Sequence, residues 1–123
     1  GAARGHAVMT DRTAEEGGTD MGCTSGELLL LAIGSCAMAG LRRLFEERTV
    51  PFQNLSVDVF FEPHQDPHQR DRIVISINTD QTLHGIDMNA IRTAAISGGV
   101  TSRMQLGSEI DVRFAPVNAR CPG

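Results

Sequence analysis

"GELLLLAIGSCAMAGLRRLFEER", residues 26–48, sets one cysteine among small and apolar side chains in a segment with helical character. Thr24 and Glu27 satisfy the capping-box pattern, in which each side chain bonds a backbone N–H that the first helical turn leaves without a partner. From there to Arg48 the sequence supports about six turns of helix at 3.6 residues per turn. Val50-Pro51 closes it, because the residue before a proline is pushed out of helical geometry. The first half of this helix is apolar in every direction, with Leu28, Leu29, Leu30, Leu31, Ala32 and Ile33 in succession. A helix that is hydrophobic all round is buried on all sides, and one chain of 123 residues cannot easily surround it. Dimerisation about that helix follows as the physical inference.

The flanks supply the other elements. Residues 1–12 include "HAVMTDR", compatible with a short strand ending at Asp11, and "AEEGGTDMGCTSG" reads as a loop. After the helix, "NLSVDVFFEP" alternates Leu55, Val57, Val59 and Phe61 on one face with Ser56 and Asp58 on the other, which is a half-buried strand. "RIVISIN" alternates again through Ile73, Ile75 and Ile77. The two-proline segment "PHQDPHQRD" between them makes the pair a long-looped hairpin. "TDQTLHG" is a turn, and "IDMNAIRTAAI" spaces Ile86, Ala90, Ile91, Ala94 and Ala95 as a helix until Ser97-Gly98-Gly99 interrupts it. "SEIDVRFAPV" is a final strand with Ile110, Val112 and Phe114 in phase, and "NARCPG" a frayed tail. This order predicts one α+β domain over residues 1–123, with an antiparallel sheet and helices segregated from it.

Composition narrows the chemistry. With 41% hydrophobic and 21% charged residues the chain is of globular rather than disordered type. A net charge of −4 gives no electrostatic reason to expect nucleic acid or an anionic membrane as partner. All 11 basic residues are Arg, which excludes Schiff-base lysine chemistry and the phosphate-loop lysine. Only 4% of residues are aromatic, with no Trp or Tyr, so stacking platforms for bases or sugars are not expected. The longest apolar run, Leu28 to Ile33, falls short of the roughly 20 residues that span a bilayer. Three cysteines at uneven spacing do not form a secreted disulfide framework, so a cytoplasmic setting with reduced thiols is expected. His64 and His68 are four apart, but Pro67 between them spoils a helical ligand pair; His6 and His84 have no local partner. No metal or cofactor is expected.

Cys36 shares a helical stripe with Leu29, Ala32, Ile33, Ala39, Gly40 and Arg43. Gly34, Ser35, Ala37, Ala39 and Gly40 strip the helix of bulk around it. A glycine inside a helix costs about 1 kcal/mol against alanine, so close helix packing or room for a small molecule beside the sulfur must favour it. Free cysteine is commonly an inert core residue. Three turns inside its own helix, Cys36 gains little from that helix's dipole, and burial raises its pKa. Reactivity therefore requires a cation nearby. Arg43 lies two turns further along the stripe, with an ion pair to Glu46 or Glu47 as its alternative use. Cys23, at the helix N-terminus, has its thiolate favoured by the dipole or is an exposed loop residue. It precedes Cys36 by thirteen residues, about 20 Å of helical rise, beyond the roughly 7 Å a disulfide permits within one chain.

The segment "GGTDMGCTSGELLLLAIGSCAMAGLRRLFEER", residues 17–48, resembles the corresponding part of the OsmC/Ohr family, where a Gly-rich loop leads into "ELLLAALGSC" on a buried central helix. The order of the remaining elements is similar too. The resemblance implies an OsmC-like fold, an intertwined homodimer and sites at the interface between subunits. It implies that Cys36 is the peroxidatic cysteine and that Arg4 is the match to the family's arginine. It also implies Glu27 as the site carboxylate, one residue past the family's glutamate position, which is Gly26 here. That step is roughly 100° around the helix. The family's second cysteine stands in a "Cys-Pro-Val" stretch matched here by Gly98, Gly99 and Val100, so no resolving thiol is present there. Two functions follow from the likeness. One is thiol-dependent reduction of a small or lipid-derived hydroperoxide at Cys36, with an external thiol reductant to regenerate it. The other is a non-catalytic module that binds a small apolar ligand at the dimer interface.

Overall fold

Thr24 begins the principal helix as its spacing to Glu27 predicts. In the computed structural model, which describes residues 1–79 and 86–110, the Glu27 N–H donates to Thr24 Oγ1 at 3.3 Å and the Thr24 N–H donates to Glu27 Oε2 at 2.7 Å. The helix, α1, runs Ser25–Glu47. At its far end the Val50 N–H reaches back to the Phe45 carbonyl at 2.9 Å and the Thr49 N–H to the Glu46 carbonyl at 3.1 Å. Thr49 stands at φ 54. This is the doubly bonded terminus that glycine usually makes, here carried by a β-branched residue.

Ahead of α1, two very short strands, β1 (Ala2–Ala3) and β2 (His6–Ala7), pair through a turn at Arg4 and Gly5, both at positive φ. The expected strand to Asp11 is thus reduced to Ala7 plus a single parallel bridge between Thr10 and Cys23. Asp11 instead organises the loop. Its carboxylate accepts from the Thr19 hydroxyl and from the N–H groups of Met21, Arg12 and Thr19, which together lower its pKa to about 2.

Behind α1 the hairpin forms as its alternation predicts. β3 (Leu55–Glu62) and β4 (Arg72–Thr79) pair antiparallel, with Val57 opposite Ile77 and Val59 opposite Ile75. Leu55, Val57, Ile75 and Ile77 pack on a core of Ala37, Leu41, Ile91 and Ala95. On the other face Asn78 Nδ2 donates to Asp58 Oδ2 at 2.7 Å. The linking segment is held locally, by the Asp66 N–H on His64 Nδ1 and the His68 N–H on Asp66 Oδ1. α2 (Met88–Ile96) is capped by Asp87, whose carboxylate accepts from the Asn89 N–H, and lies across α1.

One expectation is refined and another corrected. α1 is not buried on all sides within one chain: Ile33, Ala37, Leu41 and Phe45, an i, i+4 row, are fully covered, while Leu31 is 60% exposed and Ala32 is exposed. The covered row follows α2 and the sheet, so Ala39 and Arg43 of the expected stripe face outward. As one 23-residue helix, α1 is by length and composition apolar enough to cross a membrane, although no single apolar run in it is. The Ser97–Gly99 interruption leads into a further helix, α3 (Gly99–Leu106), where no helix is expected. The start of the expected final strand, residues 108–110, has no strand structure. Its remainder and the tail lie outside the described residues, as do the 80–85 turn with His84 and the third cysteine, Cys121.

Candidate functional site

The site is made where α1 meets the start of α3. Gly98, the N-cap of α3, is extended at φ −68 and ψ 153 and has no side chain to cap the helix. The first amides of a helix have no partner within it, and the first backbone bond here is from the Ser102 N–H to the Gly98 carbonyl at 2.9 Å. The half-buried Cys36 sulfur lies beside this uncapped end, where the N–H groups of Thr101 and Val100 act on its acidity. The approach is close. A Cβ on Gly98 would overlap Sγ and stand 3.4 Å from both Cβ and the carbonyl oxygen of Cys36.

These contacts set the thiol's acidity. The Thr101 N–H holds Cys36 below the ordinary thiol range, against the opposing effect of burial, with further help from the Val100 N–H and the Thr101 hydroxyl. No guanidinium is among the groups that shift it. A helix N-terminus favours negative charge as a cation would, so a second helix does what α1's own dipole cannot.

Of the three residues expected at the site, Cys36 alone joins α3. Arg4 stands exposed at the tip of the β1–β2 turn. Glu27 is exposed on the first turn of α1 and engaged by Thr24, whose N–H and hydroxyl both donate to Oε2. Among the described residues Glu27 has no ion pair. Arg42, not Arg43, pairs with Glu46, at 3.7 Å. Cys23 is half-buried and, with Glu27, borders an apolar cavity of about 610 Å³ between α1 and β3, lined by Leu30, Leu31, Met38, Val57 and Val59. Cys36 does not line it.

The small residues of α1 divide between the two readings their sequence leaves open. A Cβ on Gly40 would overlap the Ala94 carbonyl oxygen, and one on Gly34 would lie 3.2 Å from Val59 Cγ2. Both serve close packing, against α2 and β3. The room beside Cys36 is made by Gly98, on a different element. Thr101, absent from the expected site, is only 5% exposed and also lines a smaller cavity of about 360 Å³ with Ile33, Ile75 and Met104. The one signal for it in the sequence was the Gly98-Gly99-Val100 match to the second-cysteine stretch.

The profile of the OsmC-like protein family matches residues 17–95, which include α1, the β3–β4 hairpin and most of α2. No curated protein matches the chain significantly. Among solved structures it is similar to a protein from Psychrobacter arcticus 273-4 named for osmotic stress and a detoxification response, with TM-score 0.62 and 16% identity over 80% of this chain and 72% of that one. It is also similar to an organic hydroperoxide resistance protein OsmC from Legionella pneumophila, with TM-score 0.51 and 11% identity over 77% of this chain and 71% of that one. At these identities the two structures speak for the fold. The profile match covers well over half of the chain, which therefore belongs to the OsmC-like protein family.

Proposed function

We propose that this protein is a thiol-dependent peroxidase in which Cys36 reduces a small or lipid-derived organic hydroperoxide. The observation that carries the reading is the Cys36 sulfur at the N-terminus of α3, where the thiolate, the nucleophilic form, is favoured. The thiolate attacks the terminal peroxide oxygen. A sulfur–oxygen bond forms and the oxygen–oxygen bond breaks, so sulfur is oxidised and the peroxide reduced. The departing alkoxide takes up a proton, equivalent to the one the thiol released, and leaves as the alcohol. Gly98 rather than a thiol faces the resulting sulfenic acid. Regeneration then takes two external thiols: the first displaces water to form a mixed disulfide, and the second releases Cys36 with formation of the reductant's disulfide. A cytoplasmic setting supplies such thiols. The homodimer about α1 belongs to the same reading, and Arg4 and Glu27 act in it only if a second copy brings them to Cys36.

Treating the purified protein with one equivalent of an alkyl hydroperoxide and trapping sulfenic acid for mass spectrometry tests this. Label at Cys36 is the expected result, lost in Cys36→Ser and retained in Cys23→Ser and Cys121→Ser. No label at any excess of peroxide would sink the peroxidase and leave a second reading, a non-catalytic module for a small apolar ligand. The 610 Å³ cavity favours that alternative, since its apolar lining lies apart from Cys36.

A further inference from the structure

The cavity of about 360 Å³ bounded by α1, β4 and α3 has two kinds of surface. Its floor is apolar. Ile33 is 2% exposed, and Ile73, Ile75 and Met104 carry the lining outward. Thr101 is the polar residue of the floor, but its Oγ1 is closed to solvent and has no hydrogen-bond partner, so it offers an occupant nothing polar. The rim is charged. Arg70 and Asp71, in the segment that enters β4, both line the cavity and both are exposed. They form no ion pair with each other, and neither has an ion-pair partner among the described residues. Arg72, by contrast, is engaged by Glu62 across the hairpin. Neighbouring opposite charges in water attract one another only weakly, so both remain available to a third group. The volume lies within the roughly 300–1,000 Å³ of small-molecule sites, which combine an apolar lining with a few placed polar groups.

We propose that this cavity is a binding site for an apolar α-amino acid of the size of leucine. The ligand's carboxylate pairs with the Arg70 guanidinium, its ammonium pairs with the Asp71 carboxylate, and its side chain enters the apolar floor. Charge complementarity selects this class. A fatty acid would set its carboxylate beside Asp71, and an aliphatic amine would set its ammonium beside Arg70. A hydrocarbon would use neither charge. A zwitterion whose two charges stand on one carbon matches a cation and an anion on successive residues. A polar side chain would be desolvated against isoleucine with nothing to pair it. Arg103 on α3 does not compete for the carboxylate, since its Nη1 donates to the Gly99 carbonyl at 3.0 Å. Cys36 does not line this cavity, so the site is separate from the thiol and independent of the peroxidase reading.

Calorimetric titration of the full chain with L-leucine, isocaproate and isoamylamine tests this. Isocaproate is leucine without its ammonium, and isoamylamine is leucine without its carboxylate. Leucine should bind saturably. Each of the other two should bind about tenfold more weakly, the effect of one lost charge-assisted hydrogen bond. Arg70→Gln should weaken leucine about tenfold and remove its advantage over isoamylamine while keeping that over isocaproate. Asp71→Asn should do the converse. Both substitutions alter exposed residues ahead of β4, and the comparison of the three probes on the parent chain decides the matter if either variant does not fold. No saturable binding of leucine up to about 10 mM would overturn the site, since that is weaker than any specific use of both charges. Isocaproate or isoamylamine bound as tightly as leucine would overturn the zwitterion pairing. So would variants that weaken all three probes equally, because a general disturbance of the cavity does not discriminate between the two charges.

Discussion

Cys36 and Gly98 together decide what becomes of an oxidised sulfur. With no thiol at position 98, the first oxidation product has nothing beside it to condense with, and peroxide in excess should carry it to the sulfinic acid. Gly98→Cys should reverse that outcome. A Cβ at 98 stands 3.4 Å from the Cys36 Cβ, at the short edge of the roughly 3.5–4.5 Å usual for a disulfide. Swinging Sγ away from α3 then allows the bond. Non-reducing peptide mapping after one equivalent of peroxide should find a stoichiometric link between residues 36 and 98 in the variant. The native chain should stop at the sulfenic acid, or at a mixed disulfide where an external thiol is added, with no intrachain bridge; a stoichiometric Cys36–Cys23 or Cys36–Cys121 disulfide would show that another thiol resolves the sulfenic acid. The motif around Cys36 was readable because a long helix keeps its residues in fixed phase. The approach of Gly98 to Cys36 is not readable in this way, because it depends on how a second helix docks, which periodicity along one segment does not encode.

At the scale of elements, α1 ends on a residue poorly suited to its conformation. Thr49 at φ 54 carries the doubly bonded terminus, where a β-branched side chain is strained and glycine is not. Thr49→Gly should therefore stabilise the fold, by about 0.5–1 kcal/mol after the greater chain entropy of glycine in the unfolded state is set against it. Thermal unfolding measures this directly; a lower melting temperature would mean that Thr49 makes a contact worth more than its strain. Pro51 foretold where the helix stops, and the Thr24–Glu27 pair where it starts, because both signals are local. The same holds for the β3–β4 hairpin, whose alternation survives in the register. The sequence does not announce α3, for the converse reason. It is eight residues long, too short to show a sustained apolar stripe, and it is held by docking on α1 rather than by its own pattern. The segment "HAVMTDR" suggests a longer N-terminal strand than forms, because Asp11 draws the backbone of Arg12, Thr19 and Met21 into a loop instead.

The molecule as a whole is built around a helix that one chain covers on one side. Leu31 is 60% exposed, and Phe60 and Phe61 on β3 are 44% and 43% exposed. A two-stranded sheet is marginal by itself and gains from being covered. Exposed apolar residues in such number on a helix and its neighbouring strand are what a symmetric partner would bury. A second copy of this chain is the occupant predicted, in keeping with the all-round apolar character of Leu28 to Ile33. Light scattering on the eluted peak of a sizing column should report a dimer at micromolar concentration. Leu31→Glu should shift it to monomer or to heterogeneous aggregates, since a buried unpaired carboxylate costs several kcal/mol in an apolar interface. Leu106→Glu, which alters a residue already 88% exposed at the end of α3, provides the control for added charge and should remain dimeric. A parent chain that elutes as a stable monomer would remove the dimer. Any part for Arg4 or Glu27 in the chemistry would go with it, because in a single chain neither is brought to Cys36. The place of Cys36 beside the start of α3 would still stand, since one chain supplies both.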